Sequence, residues 1–492
     1  MKASKFIIAF MLLTSMLVAT AHTTPPDSTA LRLVAEGKAL FAQNEFKKAE
    51  QAFRKALKHD PGLTAAMAGL GEVFMAKGNW GDANDWHEKI LTQEPQNLDA
   101  AYYRGVCYRE SGKFQSFLRR KFDWDNSAKY FARVLAQDSL YRDTLYQYAQ
   151  LLRYRGKYTE AILLGHRQIR LRPDLIEGQR GLFQFYQRFL DGRGEDEVLD
   201  WLQTHDSEHA SYFIGETYRR AGEVDSAAAV LRQWLAAKPT ISLVPAYLSL
   251  ARLEHERDLP IQAEKYFVQA VDGIRDRLDA ELVFDDVKYI ATEKELQEFR
   301  QLAAPDGYSA FFRNLWIKRD STGGQNSEQR LLEHYRRLLY AEKYCLDDDI
   351  DTWANNPDKL ADLKFPVTYY LNDRFNDKGL IYLRHGEPSE RVVTVAASIP
   401  NESWRYEATN TTPEMIFHFA VAHLAAGNNW RMIAFMRDPR ILADRLFWIP
   451  APYRYLRRDL YLQRWELENA LAQQSAAAAK IGFSTDSYVW NE

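Results

Sequence analysis

The sequence predicts an α-helical solenoid of about seven helix-pair repeats, followed by a small α/β domain. Two observations predict it. Glycine, alanine and proline recur at one fixed spacing in the first half: Gly37 and Gly71, Ala49 and Ala83, and Pro61 and Pro95 are each 34 residues apart. The period ends after Ile274, and short apolar runs of strand-like composition start near residue 379. The bulk properties agree with a globular chain of two or more domains: 492 residues, 46% apolar and 27% charged. A net charge of -3 provides no bulk field for nucleic acid or an anionic membrane surface.

The chain opens with Lys2 and Lys5, an apolar run from Phe6 to Val18, and then Ala19-Thr20-Ala21. Basic, apolar and small-x-small segments in that order make a secretory signal peptide, 1–21, cleaved after Ala21. The run is shorter than the roughly 20 apolar residues of a spanning helix. The mature chain is therefore expected to lack a transmembrane segment and to be exported, to the periplasm, the cell envelope or the outside.

Residues 30–274 form the repeat array. Two antiparallel helices cross closely where a small residue of one meets a small residue of the other, and proline then stops the second helix. "GKALFAQNEFKKAEQAFRKALKHDP" and "GEVFMAKGNWGDANDWHEKILTQEP" are two copies. This period and these positions are similar to tetratricopeptide repeats. In the third copy "QSFLRRKFDWDN", near 115–126, reads as an insert, with the second helix resuming at Ser127. Copies four to seven span 142–173, 176–203, 208–239 and 244–274. Two columns recur in phase: Tyr102, Tyr146 and Tyr212, and Arg109, Arg153 and Arg219. In such a superhelix they are expected to face inward, exposed, as a peptide-binding groove whose tyrosines stack and whose arginines grip carboxylates.

Residues 275–307 read as a connector with one more helix, ending in Pro-Asp-Gly. The α/β domain is expected over 308–440. It opens with a helix through "SAFFRNLWIKRD", the polar loop "STGGQNSE" and a long helix over about 327–345. Strands are predicted at 379–384, 390–395, 403–408, 414–421 and 430–436. The stretch 441–492 is a C-terminal helix, about 453–480, and a tail.

Several strings in this half are landmarks: Leu315-Trp316-Ile317-Lys318-Arg319-Asp320, Tyr335-Arg336-Arg337 with Tyr340-Ala341, and Asp377-Lys378-Gly379-Leu380-Ile381-Tyr382. Gly386-Glu387-Pro388 with Glu390 and Trp404-Arg405-Tyr406 follow. Together they resemble the GWxTD domain family of bacterial envelope proteins, which commonly carries such repeats ahead of the domain. The resemblance makes Trp316, Arg319, Asp320, Tyr335, Arg336, Asp377, Gly379, Gly386, Pro388 and Trp404 the domain motif. Where the family has its naming Gly and Trp, this chain has "DRFND", and only Asp377 keeps its place. The family implies no established activity.

Arg384-His385-Gly386-Glu387 resembles the string that opens a histidine phosphatase site. Such an enzyme needs a second Arg and a second His on the phosphate, because one Arg does not neutralise the transferring group. Only 108 residues follow Arg384, and neither His418 nor His423 lies in a His-Gly turn. These two histidines, five apart in a strand, face opposite sides and share no metal. "DDDID" (347–351) lacks the glycine and final glutamate of a calcium loop. Cys107 and Cys345 sit in helical patterns as small buried residues, with pairing left open. No cofactor and no metal are expected. The leading expectation is a non-enzymatic scaffold for a protein or peptide partner, without nucleic acid and with the oligomeric state open. The alternatives are a phosphatase-like hydrolase centred on Arg384 and His385, and a glycan-binding module.

Overall fold

The computed structural model describes residues 28–113, 115–205, 209–323, 327–347, 367–394, 400–408, 412–421, 428–432, 471 and 473–481. The signal-peptide segment, His423, most of "DDDID" and most of the C-terminal helix lie outside the described residues. Two compact units form. The first comprises Met1–Gly112 and Phe122–Val134, the second Lys113–Lys121 and Leu135–Glu492.

The first unit holds α1 (Ser28–Ala42), α2 (Phe46–His59), α3 (Thr64–Ala76), α4 (Trp80–Gln93), α5 (Leu98–Gly112) and part of α6 (Phe117–Gln137). The in-phase glycines are sockets for rings of the second helices. A Cβ on Gly37 would come within 2.6 Å of the Phe53 ring, one on Gly71 within 2.4 Å of the His87 ring and one on Gly105 within 2.6 Å of Phe131, and the out-of-phase Gly69 also lies against Phe53, at 2.4 Å. The turn between paired helices needs positive φ, supplied by Gly78 at 71° and, one period earlier, by Asn44 at 60°.

The insert does not interrupt the third copy as predicted. α6 begins at Phe117, so the insert extends the second helix at its start instead of looping out. It is held there by Trp124 Nε1, which donates to the Arg109 carbonyl at 3.1 Å, and by Ser111 Oγ, which donates to Asp123 at 3.0 Å.

The second unit continues the helix pairs: α7 (Thr144–Tyr154), α8 (Tyr158–Leu171), α9 (Ile176–Arg193), α10 (Glu195–Thr204), α11 (Ala210–Arg220), α12 (Val224–Ala236), α13 (Val244–Glu256) and α14 (Pro260–Asp272). The connector holds two helices, not one: α15 (Arg277–Val287) and α16 (Glu293–Gln301), the latter started by a Thr292/Glu295 capping box. α17 (Pro305–Gly323) and α18 (Ser327–Tyr344) follow, then α19 (Asp377–His385). Residues 473–481 are helical again. Strands β1 (Glu390–Thr394), β2 (Asn401–Tyr406), β3 (Met415–Val421) and β4 (Trp430–Met432) form an antiparallel meander in sequence order. One apolar core runs from Ala149 in α7 to Ala479, so these later repeats and the sheet share an interior.

The strand predicted at 379–384 is a helix. Asn376 caps α19 by accepting from the Gly379 amide at 3.0 Å, Asp377 lies in its first turn, and Arg384 and His385 lie in its last. Gly386 ends it at φ 74°. These start and stop signals outweigh the apolar run that suggested a strand.

A repeat groove filled by its own chain

The first helices of the later repeats, α7, α9, α11 and α13, are followed by α15, which comes round to α9. Arg180 of α9 donates to Asp285 and Glu281 of α15 at 2.8 and 3.0 Å. Arg219 of α11 is almost fully buried. Its Nη2 donates to Glu216 at 2.7 Å and to Glu342 of α18 at 3.0 Å, and Nη1 reaches Glu256 at 3.4 Å. Glu342 also accepts from Arg374 at 3.0 Å. Arg374 makes a two-pronged contact with Asp191 of α9 at 3.0 and 3.1 Å, and Arg220 donates to the same carboxylate at 2.8 Å.

The neighbouring residue repeats the pattern with the opposite sign. Asp373 accepts from Lys288 Nζ at 2.8 Å. Burial would raise its carboxyl, but Lys288 foremost, with Arg188 and Arg153, holds it far below the usual range. Glu342 behaves alike: burial alone raises it, and the guanidiniums of Arg219, Arg252 and Arg374 more than offset that. Arg219 of the arginine column thus meets Glu342 of α18, and Arg153 acts on Asp373 of the segment 372–376. A cavity of about 100 Å³ remains among Tyr186, Phe213, Leu248, Arg252 and Asp285.

The expected exposure of the two columns is therefore corrected. Tyr102, Tyr212, Arg109, Arg153 and Arg219 are buried, and Tyr146 is half-buried. Tyr212 packs edge-on to Phe183, with ring centroids 5.4 Å apart. Tyr146 fills the space a side chain on Gly181 would need. Arg153 lies 4.6 Å over the Tyr154 ring. In the first unit Arg109 pairs with Glu110 at 2.8 Å.

At the column positions of copies one and two stand Val34, Ala68, Phe41 and Met75. Val34 is buried, while Phe41, Ala68 and Met75 keep part of their surface in solvent, beside exposed Lys38. The first unit thus presents a partly open apolar strip.

Most motif residues of the C-terminal half make buried contacts, whereas Arg336 is exposed. Trp316 packs on Phe267 and His334. Arg319 forms a bidentate pair with Glu295 at 2.7 and 2.9 Å. Tyr335 donates to Asp286 at 3.2 Å. Arg336 grips Glu333 with two bonds of 2.6 Å. Asp377 accepts from Tyr369 at 3.0 Å and from the Met432 amide at 2.7 Å. Gly379 lies against Cys345, the Gly386 carbonyl accepts from Tyr406 at 2.9 Å, and Trp404 donates to Glu402 at 2.6 Å. Pro388 is half-buried, and the Asp320 side chain lies outside the described residues.

Arg384 and His385 do not form a nucleophilic site. Arg384 Nη2 donates to the Ala291 carbonyl at 2.6 Å, and the His385 ring is buried against Phe417 and Tyr406. Burial, reinforced by Arg384 and Arg337, lowers its pKa to about 3, and burial lowers that of His334 likewise to about 3. Both rings are neutral when folded, whereas the unfolded chain takes up protons near 6.5. The contribution of these two rings to the stability of the second unit is therefore complete above pH 6.5 and is lost as pH falls toward 3. Denaturant midpoints across that window should fall with pH, and His385→Phe should flatten the slope. An unchanged slope would place these rings in water.

His418 bonds Ser403 at 2.7 Å and Gln474 at 3.0 Å, inside the sheet. Among the described residues no cluster of His, Cys, Asp and Glu is arranged to hold a metal ion, and no helix is long and apolar enough to cross a membrane. Cys107 and Cys345 are free, buried thiols, pushed up by desolvation to about 12 and about 11.

Sequence reasoning missed Glu342, Asp373, Arg374 and Asp191. One signal was available: Glu342 falls on the same helical stripe as Leu331, Tyr335, Leu338 and Cys345, where a charge demands a buried partner.

A tetratricopeptide-repeat family model matches residues 34–97 and 197–240. Among solved structures, MamA is 18% identical with a TM-score of 0.29, over 40% of this chain and 94% of its own. PilF of Pseudomonas aeruginosa is 15% identical with a TM-score of 0.30, over 50% and 92%. A tetratricopeptide repeat protein from Parabacteroides merdae is 13% identical with a TM-score of 0.29, over 52% and 97%. No curated protein sequence matches the chain. The 34-residue period, the helix pairs that carry it and the family model agree that the N-terminal part consists of tetratricopeptide repeats.

Proposed function

We propose that the protein is a non-enzymatic scaffold of the bacterial cell envelope, holding a protein or peptide partner on the repeats of its first unit. The observation that carries this reading is the internal filling of the second groove. Glu342, Asp373 and Arg374 occupy the positions a ligand would take there, whereas Phe41, Ala68 and Met75 remain partly open. A half-exposed strip with a methionine accepts apolar side chains of varied shape. The basic, apolar and Ala-Thr-Ala order of the first 21 residues supports export. The motif residues quoted above support a GWxTD-type C-terminal domain, read here as a structural support rather than a catalyst.

The test is site-specific photo-crosslinking in the intact chain. A photoreactive residue at Ala68 or Phe41 should capture a discrete envelope partner, and one at outward-facing Lys55 should not. Equal capture from all three positions would sink the assignment. N-terminal mass spectrometry should find a mature chain starting at or near His22, and a persistent Met1 would remove the export claim.

A further inference from the structure

We propose that His87 is an acid-sensitive joint of the first unit, holding α4 on α3 while its ring is neutral and letting the pair open when the ring takes up a proton. The repeat phase singles it out. Once the insert near 115–126 is allowed for, Phe53 and Phe131 stand at the same repeat position, and Leu231 and Phe267 hold it in later copies, all four buried. Gly165 stands there in the fourth copy. The His87 ring uses the same kind of socket, with Gly71 beneath it as Gly37 is beneath Phe53. A histidine brings two polar nitrogens into that apolar place. The residue is 1% exposed, and neither ring nitrogen has a hydrogen-bond partner. Such unpaired buried groups cost stability that a phenylalanine would not.

The surroundings hold the ring neutral. Nε2 rests against the Gly71 backbone, where a Cβ would come within 2.4 Å of it, so a proton there gains no acceptor. Tyr103 of α5 stacks on the ring with centroids 5.0 Å apart. Burial foremost, and then the Arg104 guanidinium, lower the pKa of His87 to about 4 against a smaller opposing pull from Asp99. Arg104 is itself fixed, donating to Asn84 at 3.0 Å and to Tyr108 at 3.1 Å and pairing with Glu88 at 3.3 Å.

The sign follows from linkage. The unfolded ring takes up its proton near pH 6.5. The stability that depends on a neutral His87 is therefore complete above pH 6.5 and is lost as pH falls toward 4. The opening equilibrium shifts by roughly 300-fold over the whole window, and by roughly twentyfold between pH 7 and pH 5. Few other groups of the first unit titrate there. Among its described residues the other histidine, His59, is exposed. Burial would raise the Glu50 carboxyl, but Lys77 and Arg54 hold it below its ordinary 4.5. On α3, Gly71 lies between Ala68 and Met75, two residues of the partly open strip. The joint thus backs the surface proposed to hold the partner, and its regulatory meaning rests on that reading.

The experiment is amide hydrogen exchange on the full mature chain at pH 7 and pH 5, with each rate divided by its intrinsic rate. In wild type the opening of α3 and α4 should rise roughly twentyfold on acidification. In His87→Phe it should be the same at both pH values. His87→Leu, with the residue type found at 231, should behave likewise and guards against a misfit of the larger ring. Equal opening at both pH values in wild type, or a rise that persists in both variants, would overturn the proposal. Exchange needs no partner, so its failure is distinct from that of the scaffold reading, which falls only with the crosslinking at Ala68 and Phe41.

Discussion

Replacing Arg374 by alanine is expected to destabilise the second unit by about 3–5 kcal/mol, because it leaves Asp191 and Glu342 buried with part of their compensation removed. The cost comes from the orphaned carboxylates rather than from the lost attraction alone. Desolvated charges are tolerated only while paired. Glu342→Gln should cost less, since an amide still accepts from Arg219 and Arg374 and carries no charge to strand. A double-mutant cycle between positions 219 and 342 should show coupling well above that of a surface pair, which is typically about 0–1 kcal/mol. Urea unfolding followed by Trp fluorescence measures this. A loss for Arg374→Ala of less than about 1 kcal/mol would mean that water reaches the cluster.

The second large effect lies in the first unit. Phe53 is essentially buried and fills the sockets at both Gly37 and Gly69. Phe53→Ala empties both at once, and the expected cost is about 3–5 kcal/mol. Because Phe53 belongs to the separate core of the first unit, hydrogen exchange should accelerate in α1, α2 and α3 while α11, α13 and α18 stay protected. Uniform acceleration throughout the chain would show that the two cores unfold as one.

The repeats were legible because their packing rests on residue types with few alternatives. A glycine under a ring and a proline after a helix recur with the backbone geometry that requires them. The strands at 390–394, 401–406 and 415–421 were also legible, since antiparallel pairing leaves an apolar, β-branched and aromatic signature. The helix 377–385 was misread, although its cap and its terminal glycine were present in the sequence. The apolar run 380–383 has the density of a strand, and only the end signals at Asn376 and Gly386 distinguish it from one. The groove residues were found by type and phase, but their exposure was not, because burial depends on what packs on top. Glu342 and Arg374 lie 123 and 155 positions beyond Arg219 in the chain, and no repeat period links them.

The clasp between Arg180 and Asp285 joins residues 105 apart in sequence, and that between Arg374 and Asp191 joins residues 183 apart. An ordinary solenoid folds by adding neighbours, each repeat gaining from the last. Here the later repeats are committed to a partner that the ribosome has yet to make. While residues 144–300 are already outside, Asp191, Arg219 and Lys288 have no counter-charges from 342, 373 or 374. The early repeats, whose sockets close within one or two helices, are able to settle first. Non-local closure of this kind slows folding and sharpens its cooperativity. A nascent chain halted before residue 374 is expected to hold a folded front and an unclosed rear, so chaperone demand should fall on the second unit alone.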